Sequence, residues 1–133
     1  MKLALTTLCL VLSAFLSEPA GPEVRAHCNL DALTSAEKAR DKQLVPLLAS
    51  ALQERSELPD GYAYRFDPRV TKELGEWLAI VSKCCQPLSY DVSLQPQPGG
   101  SLSVRITGHE AKEFIALEFA PLTQKLAAKD ARR

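Results

Sequence analysis

Net charge is the first thing this sequence lacks. Lys and Arg together number 16, and so do Asp and Glu. Residues 1–26 hold Lys2 and Arg25 against Glu18 and Glu23, so the remainder balances at 14 against 14. A neutral domain has no positive field to draw a phosphate backbone, so neither nucleic acid nor an anionic membrane surface is an expected partner. The chain also has no Gly-rich phosphate loop, no Ser-His-Asp order and no pair of acids with a reason to be paired. Glu73 and Glu76 read as a solvated helix face and Trp77 as core. Internal repeats and low-complexity tracts are missing. No apolar run reaches the roughly 20 residues that a membrane-spanning helix needs. Histidine is scarce: His27 and His109 are the whole supply.

What is present is ordinary for a globular chain. Of 133 residues, 46% are hydrophobic and 24% charged, which fits one folded domain. The first residues read as a secretory signal. Lys2 supplies a positive start, Leu3 to Leu16 is almost unbroken apolar sequence, and Ser17-Glu18-Pro19 ends it. Val24 and Ala26 suit the two positions that a signal peptidase inspects, which predicts cleavage before His27. The expected division is a signal peptide over residues 1–26, a domain over 27–122 and a loose charged tail over 123–133. An exported protein, periplasmic or secreted, with no stable membrane span after cleavage follows from that division.

The order of elements reads α-β-α-β-β-α. Thr34-Ser35-Ala36-Glu37 is a capping box that opens a helix running to Glu57, with Leu44, Leu47, Leu48, Ala51 and Leu52 on one face. Pro46 is expected to kink or split it. Leu58-Pro59-Asp60-Gly61 is a turn, and Tyr62, Tyr64 and Phe66 alternate as a strand. Asp67-Pro68 starts a second helix with Val70, Leu74, Trp77, Leu78 and Val81 inward. Two alternating strands follow, with Leu88, Tyr90, Val92 and Leu94 on one and Leu102, Val104 and Ile106 on the other. A third helix is predicted from His109 to Phe119. The fold class is therefore α+β: a three-stranded sheet, its last two strands antiparallel, with helices packed on one face.

The feature that carries chemistry is the cysteine set. Of four cysteines, Cys9 lies in the apolar leader, which leaves Cys28, Cys84 and Cys85. One reading is a structural disulfide from Cys28 to Cys84 or Cys85. It would close a loop over most of the domain, worth roughly 4 kcal/mol in the chain-entropy view. A second reading is a three-thiolate site for a soft ion such as Cu(I), Zn(II), Hg(II) or As(III). Neighbouring residues in a helix point about 100° apart, so Cys84 and Cys85 converge only if the chain leaves the helix there. Pro87 favours that exit. The third reading is a thiol oxidoreductase. It is disfavoured by position, because a helix C-terminus opposes a thiolate unless Lys83 turns inward. His109 is a candidate extra ligand or base. His27, as the new N-terminus, is a candidate copper chelator beside Cys28.

The sequence also resembles a group of small bacterial proteins of no established activity. The likeness lies in Cys28-Asn29-Leu30 followed by Asp31-Ala32-Leu33-Thr34, in Leu58-Pro59-Asp60-Gly61-Tyr62-Ala63, in a cysteine doublet near a tryptophan-bearing helix from Trp77 to Pro87, and in Thr107-Gly108 after the hairpin. Many members of that group look cytosolic, so the resemblance implies reduced thiols or metal binding rather than a structural disulfide. It also implies the periplasm as the compartment for an exported relative. This chain departs from the group in its leader, in Gln86 between the doublet and Pro87, and in Val81 where a glutamate is expected. The sequence thus predicts an exported thiol-rich binding domain that captures a soft metal or metalloid through Cys28, Cys84 and Cys85. A non-catalytic interaction domain with one disulfide is the alternative, and an odd thiol leaves a covalent dimer open.

Overall fold

The computed structural model describes residues 26–95 and 98–122. The predicted leader up to Arg25, the tail after Leu122 and two residues of the hairpin loop lie outside the described residues. Among the described residues no helix is long and apolar enough to cross a membrane.

The chain begins with a two-residue strand, β1 (His27–Cys28), and a 3-10 turn at Leu30–Ala32. Helix α1 (Ser35–Ala51) opens on the predicted capping box. The Glu37 amide donates to Thr34 Oγ1 at 3.1 Å, and the Thr34 amide donates to Glu37 Oε2 at 2.9 Å. Two of the amides that a helix start leaves unpaired are thereby satisfied. Pro46 lies inside α1 and does not split it. Leu44, Leu48 and Ala51 face the core, whereas Leu47 is exposed.

The helix does not reach Glu57. Residues Leu52–Leu58 form strand β2, which pairs antiparallel with β3 (Gly61–Phe66) across the two-residue turn Pro59-Asp60. Gln, Glu and Arg favour helix locally, but hairpin pairing outweighs a preference of a few tenths of a kcal/mol per residue. β2 lies at the edge of the sheet, where its charged residues remain in water. Arg65 of β3 reaches across to Glu54 at 2.7 Å. The sheet consequently has four strands rather than the three expected; with β6 (Leu102–Thr107) and β5 (Ser89–Leu94) its order is β2-β3-β6-β5, and the short β4 (Cys85–Gln86) lies outside it.

A 3-10 turn at Pro68–Val70, capped by Asp67 on the Arg69 amide at 2.9 Å, leads into α2 (Thr71–Cys84). Leu74, Trp77, Ile80, Val81 and Cys84 are its buried residues. The strands β5 (Ser89–Leu94) and β6 (Leu102–Thr107) pair antiparallel as predicted, and β6 also pairs with β3. Tyr62, Tyr64 and Phe66 of β3 and Leu102, Val104 and Ile106 of β6 are all buried on one face. Ala63, Arg65, Ser103 and Arg105 make the opposite face, half-buried or exposed. On β5 the alternation is present, but Val92 and Leu94 are exposed. β5 is the other sheet edge; Tyr90 near its start packs against the core, while Val92 and Leu94 further along remain in water.

Gly61 is where the sheet demands glycine. A Cβ there would lie 1.9 Å from the backbone oxygen of Ile106. The third helix, α3 (Lys112–Glu118), is shorter than expected at its start. His109 and Glu110 form a turn instead, with Glu110 at φ 51°. That left-handed conformation cannot be part of a right-handed helix. Ile115 and Phe119 bury against the sheet and α2, and Phe119 meets Trp77 edge-on at 5.2 Å between ring centres. The result is an α+β fold with one continuous core.

Candidate metal centre

The site forms where α2 ends. The periodic apolar face of α2 passes through Leu74, Trp77 and Val81 and next reaches Cys84, so Cys84 is buried as the last inward residue of that face. Cys85 then turns extended, with φ −100° and ψ 99°, while its amide still donates to the Val81 carbonyl. The chain thus leaves the helix between the two cysteines, which is the exit the doublet needs if its sulfurs are to converge. Cys85 and Gln86 continue as a two-residue strand, β4, and the Gln86–Pro87 peptide is cis.

β4 pairs antiparallel with β1, bringing Cys28 directly opposite Cys85. The Asn29 amide donates to the Cys84 carbonyl at 2.8 Å. That bond marks 29 and 84 as the hydrogen-bonded pair, so 28 and 85 are a non-hydrogen-bonded pair, the kind whose side chains stand closest. Asn29 Oδ1 also accepts from the Asp31 amide at 3.2 Å, anchoring the 3-10 turn that follows β1.

The three sulfurs therefore meet. Cys28 Sγ lies 2.9 Å from Cys85 Sγ, Cys84 Sγ lies 3.5 Å from Cys85 Sγ, and all three fall within 4.8 Å of one another. All three are free thiols, so the disulfide weighed from sequence, from Cys28 to Cys84 or Cys85, is not formed in this structure. Cys84 and Cys85 are buried and Cys28 is half-buried. Neither His27 nor His109 belongs to the sulfur group.

One carboxylate stands beside the thiols and a second lines the adjoining cleft, and no local pattern points to either. Cys28 Sγ donates to Glu118 Oε1 of α3 at 3.1 Å. Asp41 of α1 is held by the Trp77 side chain, and its pKa is raised, first by burial and also by the Glu118 charge. Both line a cleft of about 70 Å³ whose wall includes Cys84, Cys85, Leu33, Trp77 and Phe119. Glu118 and Asp41 come from helices far apart in sequence, so only tertiary packing brings them to the cysteines.

Electrostatics at the site favour neutral thiols. Burial, the first cause, and the Glu118 carboxylate push the Cys28 thiol up to about 12. Burial again leads for Cys85, whose thiol is raised further, with its hydrogen bonds to Cys28 and Cys84 adding to the effect. Tyr90, which donates to the Cys85 carbonyl at 3.5 Å, is raised by burial and by the nearby cysteines. Lys83 does not turn inward. Its ammonium pairs with Glu37 of α1, on the outer side of the helix. An ion with a strong sulfur preference can displace the thiol protons, whereas an unassisted nucleophile lacks its thiolate here.

Comparison with protein-family models, curated proteins and solved structures gives no match. The resemblance to small bacterial proteins with a cysteine doublet therefore stands on the quoted motifs alone.

Proposed function

We propose that this is an exported domain that captures a soft metal or metalloid ion through Cys28, Cys84 and Cys85. One observation carries the reading: three sulfurs from two separate segments converge within 4.8 Å. Thiolates are soft ligands and select ions such as Cu(I), Zn(II), Hg(II) and As(III). Half-burial of Cys28 leaves an approach from solvent. The negative end of α2 lies at the doublet, which suits a bound cation. Removal of residues 1–26 would release the domain outside the cytoplasm with both site segments intact.

The opposition of Cys28 and Cys85 across a two-stranded ribbon favours a second reading, a disulfide between these two that staples β1 to β4. Thiol counting separates the two. The fully reduced domain is titrated with Hg(II), Cu(I), Zn(II) and arsenite while thiolate-to-ion absorption and free thiols are followed. Ion capture predicts saturation at one ion per chain with loss of reactive thiols. A freshly isolated domain with one reactive thiol, no ion uptake after reduction and an unchanged fold would establish the disulfide instead.

A further inference from the structure

We infer that the ion best matched to this cluster is a trivalent metalloid of the arsenite or antimonite class, held as a neutral pyramid of three thiolates. The inference rests on the ion-capture reading above and narrows it.

Charge is the first argument. Three thiolates around a monovalent ion carry −2, around a divalent ion −1, and around a trivalent one zero. The surroundings of the sulfurs oppose residual negative charge. Cys84 and Cys85 are buried, and the charged side chains lining the adjoining cleft are the acids Asp41 and Glu118. The nearest cation in sequence, Lys83, is committed to Glu37. Burying an uncompensated anion beside the Glu118 carboxylate, with Asp41 in the same cleft, is costly, whereas a neutral complex avoids both the desolvation and the repulsion.

Geometry points the same way. In a tetrahedral zinc site with bonds of about 2.3 Å, neighbouring sulfurs stand roughly 3.8 Å apart. Here two of the pairs are at 2.9 and 3.5 Å. A linear two-sulfur ion needs its ligands on opposite sides, roughly 4.6 Å apart even at a zinc-like bond length; of the three pairs only Cys28 and Cys84, which lie within 4.8 Å, approach that span, and such an ion leaves Cys85 unused. A trivalent metalloid keeps a lone pair where a fourth ligand would sit, which crowds its three sulfurs onto one side. Among the described residues the group provides three sulfurs and no fourth donor.

The exchange also balances without an added base. Arsenous acid brings three hydroxyls. Three As–O bonds break, three As–S bonds form, and the three thiol protons leave with the hydroxyls as three waters. No atom changes oxidation state. Glu118 accepts from Cys28 Sγ and is placed to pass that proton to a departing hydroxyl. A divalent ion must instead expel the thiol protons to solvent.

The test titrates the reduced full-length domain in weak buffer with a proton indicator, using arsenite, Zn(II) and Hg(II) separately. Arsenite is expected to bind one per chain, consume all three thiols and release no protons. An equal concentration of Zn(II) should not displace it, and Hg(II) should leave one thiol reactive. Glu118→Gln and Asp41→Asn should each raise Zn(II) affinity, by roughly threefold to tenfold, and leave arsenite affinity unchanged. Displacement of arsenite by equimolar Zn(II), or loss of Zn(II) affinity in Glu118→Gln, overturns the inference while ion capture stands. No uptake of any of the three ions overturns both.

Discussion

Two of the four antiparallel pairings among the described residues differ in nearly every respect except direction. β3 and β6 share six paired positions, bury an aromatic and aliphatic face and anchor the core. β1 and β4 share two, yet they bring together the cysteines on which the proposed chemistry depends. The long ladder is stabilised by its own length and by the helices over it. The short one is held from outside, by the Asn29 amide on the Cys84 carbonyl and by the end of α2. Most of the stability and the candidate site thus reside in different pairings, and the larger effects of changes at one should spare the other.

The largest effect is expected from the long ladder. Gly61→Val would drive a side chain into the Ile106 carbonyl, where even a Cβ would stand at 1.9 Å. It should cost about 3 kcal/mol or more, at the severe end for single substitutions, and separate β3 from β6. Urea unfolding followed by tryptophan fluorescence would measure it.

The short ladder should respond in the opposite way. Cys85→Ser, at the centre of the sulfur group, should weaken ion capture by at least roughly a hundredfold, beyond what losing an outer-shell partner costs. The same variant should keep the cooperative unfolding of the parent. Competition with a chromophoric chelator gives the affinity, and a thermal melt checks the fold.

Asn29→Ala sharpens the contrast further. It keeps every thiol but removes the side chain that anchors the turn after β1, accepting from the Asp31 amide at 3.2 Å. A loss of about 1 kcal/mol in stability is expected, as for other local caps. A drop of roughly tenfold in ion affinity should accompany it, because Cys28 loses its fixed position.

These contrasts also explain what the sequence made legible. The α+β class, the capping box at Thr34 and Glu37 and the strands around Tyr64 and Val104 all follow from local patterns. Each involves residues close together or repeating at a fixed period. β2 carries no strand pattern because Gln53, Glu54 and Arg55 suit a helix, and only the turn after Leu58 marks the hairpin connection. β1 and β4 are too short to have a period at all. The three cysteines could be nominated from sequence, and the turn at Pro87 pointed to convergence. Their meeting depends on a pairing between residues 57 apart in the chain. Glu118 and Asp41 carry no motif, so only the packed structure places them.

The smallest expected effect lies in the core of the long ladder. Tyr64 is fully buried, and its hydroxyl has no hydrogen-bond partner. Tyr64→Phe should therefore be neutral or stabilise by up to about 1 kcal/mol. Burial raises the Tyr64 phenol from 10.0 to about 12. Above pH 10 the unfolded chain loses this proton while the folded chain keeps it, so the unfolded state binds fewer protons and stability falls until about pH 12. The variant should lack that part of the alkaline decline, which unfolding curves collected across this range would show.

The central claim is that Cys28, Cys84 and Cys85 act together on one ion. X-ray absorption at the arsenic edge of the arsenite-loaded, reduced protein tests it most directly. The account predicts a first shell of three sulfurs and no oxygen, reduced to two sulfurs in each single Cys→Ser variant. A shell that keeps oxygen in the parent protein, or one that is unchanged in Cys28→Ser, would contradict it.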